Sequence, residues 1–92
     1  MKTTINGKRY DSKKCEELAE LDHYNNGNYS GTTYIERASD GQLLLHTISN
    51  GQDSYLTDAF YAPEGPINWE GYEMNEDQEK RCAELGLIEI VA

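Results

Sequence analysis

The sequence predicts an α+β fold: a small antiparallel sheet, built from a β-meander and an N-terminal hairpin, with two short helices. Three observations point there. Asn-Gly pairs at Asn6-Gly7 and Asn50-Gly51 sit between strand-like runs, Ser39-Asp40-Gly41 marks a further turn, and two stretches place apolar residues at helical spacing. Ninety-two residues make one domain, 1–92, with room for a single core. No apolar run approaches the roughly 18 residues of a membrane span. Residues 1–7 lack the apolar centre of a signal peptide, so the expectation is a cytoplasmic protein with no membrane contact.

The first hairpin pairs Lys2 to Ile5 with Lys8 to Tyr10 across Asn6-Gly7, because both central positions of a type I′ turn need positive φ. Asp11-Ser12 then offers a helix cap. A helix is expected from Lys13 to about Asp22, with Cys15, Leu18, Ala19 and Leu21 on one side, ending at Asn25-Asn26-Gly27-Asn28. A meander follows, with strands at Thr32–Arg37, Gln42–Ile48 and Asp53–Leu56. Leu43 and Leu45 point one way and Leu44 the other, which marks the middle strand as central. Pro63, Gly65, Pro66 and Gly71 make residues 57–74 an ordered loop, with one helical turn near Asp58 to Tyr61. Asn75 and Gln78 read as a capping box for a helix to about Leu85, stopped by Gly86. Leu87 to Val91 reads as a last strand, able to pair within the sheet or across a dimer, so monomer and homodimer both stay open.

Charge is distributed unevenly. The net charge is −9, yet residues 1–37 and 80–92 are each balanced. The excess comes from nine carboxylates between 38 and 79, a stretch without Lys or Arg: Asp40, Asp53, Asp58, Glu64, Glu70, Glu73, Glu76, Asp77 and Glu79. Tyr55, Phe60, Tyr61, Trp69 and Tyr72 are interleaved with them. Such a stretch repels nucleic-acid phosphates and speeds encounter with a basic protein surface over a Debye length of about 10 Å in 0.1 M salt. Aromatic rings are common interface anchors, although a small domain also needs rings inside its core. The candidate partner-binding residues are therefore Asp53, Asp58, Glu64, Glu70 and Glu73 for charge pairing, with Tyr61, Trp69 and Tyr72 as anchors.

Chemistry-bearing motifs are sparse. Cys15 and Cys82 read as free, buried small hydrophobes in predicted helices, in preference to a disulfide or a metal site. His23 and His46 lie in no nucleophile motif, and Gly27 to Gly31 lacks the lysine and helix start of a phosphate loop. Asp53 with Asp58, or Glu70 with Glu73, fits no calcium loop. The reading is a non-enzyme with no catalytic residues, no metal and no cofactor.

Gly7-Lys8-Arg9-Tyr10-Asp11-Ser12, followed by an acidic segment and Gly27-Asn28-Tyr29, resembles a group of small proteins encoded by phages and mobile elements of Gram-positive gut bacteria. Met74-Asn75-Glu76-Asp77-Gln78-Glu79, opening the last helix, extends the resemblance over most of the chain. In size, acidity and lack of catalytic residues the chain is also similar in type to anti-CRISPR proteins. That similarity implies a stoichiometric inhibitor that covers the basic nucleic-acid surface of a CRISPR–Cas effector, as a DNA mimic does. The alternatives are an anti-restriction or other host-defence inhibitor, a small-molecule-sequestering protein with a Tyr/Trp pocket, an enzyme using His23 or His46, and a housekeeping domain of the mobile element.

Overall fold

The computed structural model describes residues 1–51 and 56–92. In chain order the elements are β1 (Lys2–Ile5), β2 (Lys8–Asp11), a 3-10 turn (Ser12–Lys14), β3 (Glu16–Asn25), β4 (Asn28–Arg37), β5 (Leu43–Ser49), β6 (Ala59–Tyr61) and α1 (Glu76–Glu84). β1 and β2 form a hairpin of their own, and β3-β4-β5-β6 form an antiparallel meander in that order. The fold is α+β, with one α-helix among the described residues instead of two. No helix among the described residues is long and apolar enough to cross a membrane.

The local signals behave as the turn chemistry requires. Asn6 and Gly7 take φ of 50° and 78°, closing the first hairpin as a type I′ turn. Asn75 accepts the Gln78 amide while the Gln78 side chain accepts the Asn75 amide, which completes the capping box of α1. At the other end Gly86 (φ 72°) donates to Ala83 and Leu87 to Cys82, a Schellman ending.

The helix expected at 13–22 is a strand. Asp11 does cap a turn, accepting the Lys13 amide at 3.1 Å, but the turn is 3-10 and stops at Lys14. The spacing of Leu18, Ala19 and Leu21 satisfies a helical period, and it satisfies alternation equally well once one residue is extra. Leu18 is that residue: Glu17 pairs with Glu36 and Ala19 with Ile35, leaving Leu18 in a bulge between them and fully buried. Asn26 and Gly27 (φ 53° and 82°) make a second type I′ turn in place of a helix end. This turn folds β3 along the whole of β4, and non-local pairing outweighs local helix propensity.

Two further expectations are corrected. The helical turn near 58–61 is β6, because β5 offers an open edge to Ala59, Phe60 and Tyr61. Residues 87–91 form no strand: the edge of β3 is already engaged where Glu73 bridges to Glu20. The expected strand at 53–56 lies almost wholly outside the described residues.

Register divides the sheet into two faces. One carries Ala19, Ile35, Leu45 and Tyr61 in one row and Leu21, Thr33, Thr47 and Ala59 in the next. α1 packs against β3 with Cys82 buried and its thiol 3.8 Å from the Leu18 carbonyl, and Gly71 lies near Leu21. The opposite face carries Glu20, Tyr34, His46 and Phe60, flanked by the rows Glu17, Glu36, Leu44 and Asp22, Thr32, Ile48. There the β1–β2 hairpin packs Ile5 and Tyr10, and the residue after the 3-10 turn, Cys15, against Ala38, Leu44 and Phe60. Ile35 and Leu44, from opposite faces, are both fully buried, each contributing about 1.5–3 kcal/mol through lost apolar surface. β5 is thus covered on both sides, as its sequence implies.

Candidate functional site

The hairpin covers only part of its face, and what it leaves uncovered is acidic. Glu20 and Glu73 exchange two backbone hydrogen bonds, so their side chains share a face and extend the row to Glu73, Glu20, Tyr34, His46 and Phe60. Glu17 and Asp22 flank Glu20 on the same side. None of these four carboxylates has an ion pair among the described residues. Glu17 accepts from the Gln78 amide at 3.2 Å and Asp22 from the Thr32 hydroxyl at 2.7 Å. Burial, followed by the charges of Glu17, Glu20 and Asp22, pushes the Tyr34 hydroxyl above its ordinary value and keeps it neutral.

Tyrosines border this row. At the tip of the β3–β4 hairpin Tyr24 and Tyr29 are 63% and 46% exposed, with ring centroids 6.0 Å apart in an edge contact. Tyr24 follows Glu20 and Asp22 on the acidic face by alternation, and a bulge brings Tyr29 to the same face: His23 pairs with Gly31 and Tyr24 with Tyr29, so Ser30 is the extra residue and resets the alternation. The Tyr29 hydroxyl lies 2.6 Å from the Thr32 hydroxyl, which donates to Asp22, and this chain fixes the ring beside the carboxylate. Ile48, 45% exposed, pairs with Thr32 on the same face.

The residues singled out from sequence go to several places. Tyr61, Glu64 and Tyr72 line one shallow depression with Leu45, Pro63 and Ile67, and burial raises the Tyr72 hydroxyl. Trp69, half-buried, and Glu70 lie in the turn where Tyr72 donates to the Trp69 carbonyl and Glu70 to the Asn68 side chain. Asp58 accepts the Ser49 amide at 2.7 Å, beside β5. Glu73 joins Glu17 and Glu20, on the face opposite Tyr61. Asp53 lies outside the described residues. Sequence reasoning missed Glu17, Glu20, Asp22, Tyr24, Tyr29 and Tyr34. The helix reading hid Glu17, Glu20 and Asp22, although Glu20, Asp22 and Tyr24 alternate with Leu21 and His23 at a spacing of two; Tyr24, Tyr29 and Tyr34 fall outside the charge-rich stretch 38–79.

The titratable groups inside the fold are engaged with neighbours. His46 Nδ1 is 3.1 Å from Glu36 Oε2, and His23 Nε2 is 2.7 Å from the Thr33 hydroxyl, itself 2.8 Å from that of Thr47. Both cysteines are free, and burial raises both thiols; Cys15 donates to the Asp11 carbonyl. Among the described residues no three of His, Cys, Asp and Glu are grouped to hold a metal ion. No protein-family model matches the chain, and neither a curated protein nor a solved structure shows significant similarity to it.

Proposed function

We propose that this chain is a stoichiometric binding protein that docks its acidic, tyrosine-rimmed sheet face on a Lys/Arg-rich surface of a nucleic-acid-handling protein. An anti-CRISPR-like inhibitor of a Cas effector is the reading put first. The observation that carries it is the Glu20–Glu73 pair. Two like charges set directly opposite each other in a ladder weaken the fold, and no cation offsets them among the described residues. Such a cost is repaid when a cationic surface covers the pair. Four unpaired carboxylates steer encounter, and Tyr24 and Tyr29 supply exposed, pre-oriented ring area for anchoring. The same charge disfavours direct binding to nucleic acid.

A plasmid-interference assay in cells carrying different CRISPR types tests the reading. Expression of the chain is expected to protect a targeted plasmid in one type, and Glu20→Lys with Glu73→Lys to abolish that protection. Protection that survives this pair but is lost on Tyr61→Ala with Glu64→Lys would move the interface to the opposite face. No protection in any type would sink the Cas reading and leave an anti-restriction inhibitor, assayed with the same variants.

A further inference from the structure

The β1–β2 hairpin and the 3-10 turn after it gather cations in a chain that is strongly anionic. Where the hairpin leaves the sheet there is a cleft of about 650 Å³, lined by Lys2, Lys8, Arg9 and Lys14 with the buried Tyr10 and Ala38 beneath. That is the volume of a small-ligand site. Two carboxylates also line it, but both are engaged. Asp40 accepts the Tyr10 hydroxyl at 2.7 Å and the Gln42 amide at 3.0 Å, with Lys8 3.7 Å away. Asp11 accepts the Lys13 amide. Arg9 spends one donor on the Thr4 hydroxyl at 2.9 Å. Lys2 and Lys14 have no ion pair among the described residues.

Acidic side chains outnumber basic ones 17 to 8 here, so a lysine has many carboxylates to pair with. Gathering four cations around one concavity, with only Lys8 in an ion pair among the described residues, runs against that average and incurs mutual repulsion. The Asp11 carboxyl registers the local field. It is held below its ordinary value first by the Lys13 amide, and then, against the opposing effect of burial, by Lys2, the terminal amine and Lys14.

We propose that this cleft binds a small, multiply charged phosphate compound such as a nucleotide polyphosphate. Lys2, Lys14 and the free donors of Arg9 neutralise the phosphoryl oxygens, and Lys8 is shared with Asp40. Phosphate is the chemistry that fits, because several converging N–H donors and ammonium groups match a group with several anionic oxygens. The cleft shares no residue with the acidic patch beside it, and its failure leaves the proposed docking untouched.

The test is titration of the isotope-labelled chain with pyrophosphate and with ATP, followed by amide shifts and by calorimetry, against sodium chloride at matched ionic strength. Saturable shifts at Lys2, Lys8, Arg9, Asp11 and Lys14 are expected with both probes. Lys2→Glu with Lys14→Glu, both exposed positions, is expected to weaken binding at least about tenfold, whereas Lys80→Glu leaves it unchanged. Three results would overturn the proposal: shifts reproduced by sodium chloride, shifts unchanged in the double variant, or binding of a single-stranded RNA oligonucleotide without binding of either small probe.

Discussion

Glu20 donates its amide to the carbonyl of Glu73 at 3.0 Å and accepts the Glu73 amide at 2.7 Å, which sets two carboxylates side by side at the edge of the sheet. The backbone bonds hold the segment before α1 against β3. The side chains work against that hold, and the conflict is local enough to measure.

Glu20→Gln or Glu73→Gln is therefore expected to raise stability by about 0.2–1 kcal/mol in low salt, read as a higher urea midpoint with an unchanged slope. The gain fades as salt screens the parent pair. A lower midpoint would show that the carboxylates are not in conflict.

Tyr24→Ala and Tyr29→Ala should separate stability from binding. Both rings are exposed, so the melting of each variant stays within about 0.5 kcal/mol of the parent. Once a partner is in hand, its affinity falls by about 2 kcal/mol or more. Tyr29→Phe, which loses only the link to Thr32, falls less.

Gly31 sits where β4 passes beneath Leu56, with φ at 152°. A Cβ there would strike the Ile48 carbonyl and come within 2.7 Å of Leu56 Cδ2. Gly31→Ala is expected to cost about 1–3 kcal/mol or more by overpacking, measured by thermal melting. A neutral result would mean that β4 and β5 can separate freely at this point.

Glu36 and His46 give a pH signature. Burial raises the Glu36 carboxyl above its ordinary value, with the His46 hydrogen bond and charge opposing it. A carboxyl raised in the folded state holds its proton more tightly there than in the unfolded chain. Its contribution favours folding at low pH and is lost as pH climbs from 4.5 through the higher folded value. Glu36→Gln is expected to flatten that loss in urea midpoints followed from pH 4.5 upward. A steeper fall in the variant would reverse the sign assigned to burial.

Asn75→Ala removes one arm of the capping box and is expected to cost about 1 kcal/mol. Hydrogen exchange at the Gln78 amide, which loses its acceptor, is the direct check.

The features legible in the sequence are those decided within a few residues: both ends of α1, the Asn6-Gly7 turn and the central place of β5. β3 was not legible, because the choice between helix and strand for Glu16 to Asn25 is made by ten residues of β4 that pair with it. Nothing local marks Leu18 or Ser30 as extra residues, and each changes which neighbours share a face. The candidate site suffers most from this. Acidity and aromatic content are visible in composition, but the grouping of Glu17, Glu20 and Asp22 with Glu73 depends on a bridge across more than fifty positions of sequence. His46 reads as structural either way, and its Glu36 partner is visible only once β4 and β5 are in register.

The extra residue at Ser30 makes the orientation of the hairpin tip a matter of parity. One codon inserted between His23 and Tyr24, opposite Ser30, would restore strict alternation and swing Tyr24 and Tyr29 from the carboxylate side of the molecule to the side beneath Leu56, with the remainder of the sheet unmoved. The exposed surface of this chain is therefore one in-frame insertion away from a different chemical character, a short mutational path by which such a tip gains or loses a binding partner.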